Sequence, residues 1–163
     1  MVGPITEAEA RAIIAKWGEL HDLQAGLSAF IPFIARTGFY MEFAGKRWEG
    51  YEGLERHQIE KRRFFDERHD TFEVRMMPGA DSTHAWTLCH WDASYRPENS
   101  PRSRRIKTLI EHDWEFRRDP TSGAAFMQGH KVTKFDYLPG FAPDDAPSYD
   151  PHLNPRLARG RTE

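Results

Sequence analysis

The sequence predicts an α+β domain, helices first and a sheet after them, and three observations carry the prediction. Ala10, Ile13, Ile14, Trp17 and His21 recur at helical spacing near the N-terminus. Residues 105–118 instead alternate with period two: Ile106, Thr108, Ile110, His112, Trp114 and Phe116 on one side, Lys107, Glu111, Asp113, Glu115 and Arg117 on the other, Leu109 the exception. From about residue 70 to 137 strands follow one another without another helical pattern.

Taken in order, Thr6-Glu7-Ala8-Glu9 has the form of a capping box, which starts a first helix over 7–24. Gly26 breaks it, and Ser28 can cap a short second helix over 29–36, with Pro32 in the first turn where its missing N–H matters least. Residues 39–43 and 46–48 read as a small hairpin around Ala44-Gly45. A third helix over 54–68 carries Leu54, His57, Lys61, Phe64 and Phe65 on one side. Strands are then expected over 70–77, with Phe72, Val74 and Met76 on one face, and over 84–95, 105–118 and 124–137. Pro97 to Ser103 reads as an exposed loop. Residues 1–137 are expected to be one domain and 138–163 an irregular tail, anchored on the body by Phe141, Tyr149 and Leu153.

The chain has 163 residues, and 23 Lys plus Arg against 25 acidic residues leave a net charge of −2, which argues against a nucleic-acid-binding surface. A single cysteine, Cys89, leaves no internal disulfide and no thiolate zinc site. No apolar run reaches the ~18–20 residues of a membrane span and MVGPITEAEA is no signal peptide, so the expected location is cytoplasmic with no membrane partner.

Candidate chemistry begins with His112, an imidazole inside an apolar stripe that needs either a dedicated partner or a cavity to face. Tyr40 and Glu42 lie two apart on one strand and share a face: toward a pocket, Glu42 is a desolvated base with Tyr40 as donor; outward, Glu42 pairs with Lys46 or Arg47. His90 shares its face with Trp86, Leu88 and Asp92, and that strand is apolar on both sides, so its inward side is open. His57 lies near the apolar side of the third helix, and His130 can face either way. His69, His84 and His152 read as loop or edge residues. The spacing shows no His-x-x-x-His pair and no phosphate-binding glycine loop, so neither metal nor cofactor is expected. Five Trp, five Tyr and eleven Phe suit an aromatic-lined pocket, to which Trp17, His57, Phe65, Trp86, Trp114 and His130 are candidate contributors.

The order of elements, with Ile-Ala-Arg-Thr-Gly-Phe-Tyr-Met-Glu after the second helix and Gly50-Tyr-Glu-Gly-Leu before the third, resembles the nuclear transport factor two-like superfamily and its SnoaL-like members over residues 6–137. That resemblance implies a cone-shaped, curved antiparallel sheet wrapped around three helices and enclosing a pocket. It places Glu42 at the position of the base in ketosteroid isomerase, Trp17 near the tyrosine of that enzyme's first helix, and His112 at an inward polar position of scytalone dehydratase. The expected function is a cofactor-independent lyase, dehydratase, isomerase or cyclase on a small hydrophobic, aromatic molecule, with Glu42 as base and His112 as acid in one cavity. The alternative is a non-catalytic binding or accessory module. A homodimer through the outer sheet face is expected too, because Ala85, Cys89, Trp91 and Ala93 make a second apolar face on strand 84–95.

Overall fold

The structure, a computed structural model, describes residues 3–142. Helix α1 (Glu7–Asp22) opens with the expected capping box: Thr6 Oγ1 accepts from Glu9 N–H and Glu9 reaches back to Thr6. Arg118, at the far end of the sheet, donates to both Glu9 oxygens at 2.7 Å, and chiefly this contact holds the Glu9 carboxyl down at about 2. The second helix is shorter and earlier than expected: α2 spans Leu27–Phe30 with Gly26 as N-cap, so Ser28 lies inside it, and Pro32 falls in a 3-10 turn, Ile31–Phe33.

Strands β1 (Tyr40–Phe43) and β2 (Lys46–Glu49) form the small hairpin, and α3 (Gly50–Lys61) follows. Gly50 enters α3 with φ of 65°, and Gly53 lies so close that an added Cβ would come within 2.8 Å of the Trp48 backbone. The helix ends at Lys61, not near residue 68. Phe64 to Pro78 is β3, a strand six residues longer at its start than the alternation suggested.

With β4 (Thr83–Tyr95), β5 (Arg104–Arg118) and β6 (Ala125–Tyr137) the sheet has six strands in the order β2-β1-β6-β5-β4-β3. All pairs are antiparallel except β1 with β6. Three helices against a curved, unclosed sheet make the α+β class plain. The inner face packs Ala85, Trp114, Phe116 and Met127 against Ile13, Ile14, Trp17 and Phe30.

Two bulges on β3, between Phe65 and Arg68 and between Thr71 and Glu73, reset which side chains point inward. Phe64, Glu67 and Val74 are buried, while Phe65 and Phe72 are exposed. Phe72 is therefore outside, against expectation. The β4 face carrying Ala85, Cys89, Trp91 and Ala93 is the buried one, and the face of Trp86, Leu88 and His90 is the outer one. Beyond β6, Leu138 N–H donates to Lys107 and the Lys107 ammonium lies over Phe141, whereas Tyr149 and Leu153 fall outside the described residues.

Candidate active site

The inner sheet face, α1 and α3 line a half-open cavity of about 100 Å³, a scale that admits one small ring. Trp17, Trp48, Trp91 and Trp114 supply its apolar walls, and His21, His57, His69, His112 and His130 are all among its lining residues. Trp114 is fixed by a 2.8 Å bond from Nε1 to the buried hydroxyl of Thr87. The tyrosine position that the resemblance matched is thus a cavity-lining Trp17, which packs edge-on to His21 and His130.

The most organised group in this wall is an aspartate–histidine pair. Asp22, the last residue of α1, takes the His69 backbone N–H on Oδ2 at 3.0 Å and His69 Nδ1 at 2.5 Å on Oδ1. Both carboxylate oxygens are engaged by one residue, so ring orientation and tautomer are set together: Nδ1 carries the proton and Nε2 keeps its lone pair. Close approach of the two elements depends on Gly18, where an added Cβ would stand 3.0 Å from His69 Cβ. Burial lowers the His69 pKa, with Lys61 pushing the same way and Asp22 opposing, so the imidazole is unprotonated near neutral pH.

Beside it lies a second charged pair. Lys61, the last residue of α3, donates to Glu67 Oε2 at 3.0 Å, and its ammonium stands 5.3 Å from the Trp91 ring centre. The Glu67 side chain is 1% exposed, and its other oxygen has no hydrogen-bond partner. Ligand atoms of Asp22, Glu67 and His69 all lie within 4.8 Å of one another, which is the group that could hold a metal ion. Lys61 already neutralises Glu67 there, and His69 already takes both oxygens of Asp22.

His112 and His130 occupy the sheet side of the cavity, ring centres 5.5 Å apart, each with a buried Nδ1 lacking a partner. Desolvation, the largest cause, drives His112 and His57 down to about 3 and His21 and His130 well below the ordinary imidazole value. His57 and His69 are half-buried, and desolvation is still the largest cause of their lowered values. The cavity is lined by unprotonated imidazoles.

Of the residues singled out from the sequence, Trp17, His57, His112, Trp114 and His130 line this cavity together. Five others do not take the positions expected of them. Glu42 contributes to the cavity mouth, but its carboxylate turns to Lys131 at 3.1 Å and Arg47 at 3.4 Å. Its register with Lys131 sets it on the sheet face opposite Met41, His130 and His112. The Glu42 carboxylate and the His112 imidazole therefore do not face one another across the cavity as expected. Tyr40, on that same outer face, lies across Gly129 and donates to Glu115 at 2.9 Å; burial and this bond push its phenol above the ordinary value. His90 stacks on Phe72 at 4.9 Å, and Trp86 lies under Arg75, both outside the cavity. Phe65 is exposed, and its neighbour Phe64 takes the wall position, because the chain is already extended there.

Asp22 and Glu67 were not picked out, Lys61 was placed only on the apolar side of the third helix, and His69, read as a loop or edge residue, is instead a strand residue lining the cavity. A signal for them existed: Lys61-Arg62-Arg63 is the cationic run that favours a helix C-terminus, and moving the boundary there makes Glu67 and His69 strand neighbours on one face.

No protein-family model matches the chain, and no curated protein matches it in sequence. Solved structures do match in shape. A nuclear transport factor 2-like superfamily protein from Salmonella enterica is 8% identical with a TM-score of 0.64, covering 77% of this chain and 88% of its own. LinA is 14% identical with a TM-score of 0.64, over 82% of this chain and 89% of that one. Aln2 from a Streptomyces species is 14% identical with a TM-score of 0.61, over 80% and 93%. At these identities the likeness shows the fold, and the fold is nuclear transport factor 2-like.

Proposed function

We propose that this chain is a cofactor-independent acid–base enzyme, of lyase or isomerase type, acting on a small hydrophobic molecule of about one ring. The observation that carries the reading is the His69–Asp22 pair at the cavity wall. An unprotonated imidazole whose Nδ1–H is held by a carboxylate is built to accept a proton at Nε2, and the carboxylate stabilises the imidazolium that results. His112 and His130, across the same cavity, can hydrogen-bond a substrate oxygen, and the protonated His69 is the group that returns the proton. The tryptophans make the walls largely apolar, and the burial that keeps the imidazoles neutral strengthens each electrostatic contact with substrate.

The test needs no knowledge of the product. Small aromatic and carbonyl compounds are incubated with the protein in deuterium oxide, and incorporation at carbon is read by mass spectrometry. Incorporation by the wild type that falls roughly 10²–10⁴-fold in His69→Gln and Asp22→Asn is the expected result for a lost general base. Equal incorporation in a folded His69→Gln variant, or none with any compound, would sink the proposal and leave a non-catalytic binding module as the reading of the cavity.

A further inference from the structure

Lys61 has no part in the proton transfer described above, yet it is the only lysine or arginine among the described residues lining the cavity. Its side chain is 14% exposed, its ammonium is held by Glu67 at 3.0 Å, and it rests over the Trp91 ring. Holding a cation in a desolvated wall is unfavourable unless it is paired, and the buried Glu67 supplies the pairing. One bond to Glu67 leaves two of the three ammonium protons for other acceptors.

We infer that Lys61 is the oxyanion-binding residue of this cavity, and that the substrate class is a small carbonyl compound with an acidic C–H beside the carbonyl. The inference rests on His69 being the base. The C–H bond breaks, its proton goes to Nε2 of His69, and its electron pair forms the C=C of an enolate whose oxygen carries the negative charge. His69 then becomes a cation against Asp22, so the new positive charge there is already matched. The new negative charge lies on the substrate oxygen, and the cation able to meet it is Lys61. Neutral imidazoles such as His112 can each donate one hydrogen bond to that oxygen but bring no charge.

Binding of 4-nitrophenol, whose phenolate absorbs in the visible and stands in for an enolate, tests this without turnover. Wild-type protein is expected to bind the phenolate preferentially, so that visible absorbance appears below the probe's own pKa. Lys61→Met and the charge-neutral double variant Lys61→Met/Glu67→Gln should weaken phenolate binding by roughly 10- to 100-fold, the worth of a charged hydrogen bond, while Lys61→Arg retains most of it. The double variant guards against loss of folding through an unpaired Glu67. His69→Gln should keep phenolate binding, so failed deuterium incorporation with intact phenolate binding would dismiss the base and spare Lys61. Phenolate binding unchanged in the folded double variant, or a wild type that takes up the neutral phenol alone, overturns the inference.

Discussion

Acid should destabilise this protein well above the range where carboxylates titrate, and the magnitude follows from the cavity histidines. His57 and His112 are held at about 3 by desolvation, against 6.5 for a solvated imidazole. The sign follows from the direction of the shift. A folded pKa below the unfolded one means the unfolded chain binds the proton first, so the stability is complete above pH 6.5 and drains as pH falls toward the folded value. Each such histidine removes about 1.4 kcal/mol per pH unit below 6.5, so the drop to pH 5 removes about 2 kcal/mol apiece. His21 and His130 are lowered well below 6.5 as well and act over the same window. His57 and His112 alone then remove about 4 kcal/mol by pH 5, against a typical total of roughly 5–15 kcal/mol, and His21 and His130 add to the loss in the same direction. Glu9, held at about 2, contributes below the ordinary carboxylate range and leaves this window untouched.

Urea titrations followed by tryptophan fluorescence, at pH values from 7.5 down to 5, measure the effect directly. Stability is expected to fall with a slope of at least two protons, about 3 kcal/mol per pH unit. His112→Phe should reduce that slope by one proton, about 1.4 kcal/mol per unit, and render the fold more acid-tolerant. A wild-type slope of one proton or less would refute the claim that the imidazoles are held neutral by burial, and an unchanged slope in His112→Phe would refute it for that residue.

Three further outcomes are expected. Gly129→Ala sets a Cβ within 2.5 Å of the Tyr40 ring and carbonyl, so overpacking should cost about 1–3 kcal/mol in urea unfolding, and a variant as stable as wild type would show that Tyr40 is only loosely held. Ala85, Cys89, Trp91 and Ala93, on which a homodimer was expected, are core, so a homodimer would instead use the outer face of Phe72, Trp86, Leu88 and His90; Trp86→Glu should then give monomer, and a wild-type monomer at tens of micromolar by light scattering speaks against it. Dialysis against a chelator should leave deuterium incorporation unchanged. A loss restored by one divalent ion would instead make Asp22, Glu67 and His69 ligands.

Legibility in the sequence tracked the regularity of the backbone. Strand β5 runs Arg104–Arg118 with no bulge against β4, its alternation survives intact, and His112 and Trp114 point where period two puts them. β4 was ambiguous because Trp86 and Leu88 on one side are as apolar as Cys89 and Trp91 on the other, and only its pairing partners decide. Glu42 failed for a different reason. It sits on a four-residue strand whose facing is fixed by parallel pairing to β6, a contact between residues roughly ninety apart in the chain that no local pattern carries.

The segment from Asp66 to Thr71 shows why the site itself was the hardest part to read. Every residue in it is polar or charged, which by pattern alone means a solvated helix end or loop. The bulge before Arg68 turns Glu67 and His69 inward, the bulge after Thr71 turns Val74 inward again, and between the two the strand presents Glu67 and His69 where an unbroken strand would present Asp66, Arg68 and Asp70. Such an arrangement is stable only because Asp22 and Lys61 come from two separate helices to meet it, through Gly18 on one side and the end of α3 on the other. Period-two reasoning assumes that parity is conserved along a strand. Changing parity twice within about ten residues is what delivers a base and a buried carboxylate into an otherwise aromatic wall, so the break in the pattern and the proposed chemistry have the same structural cause.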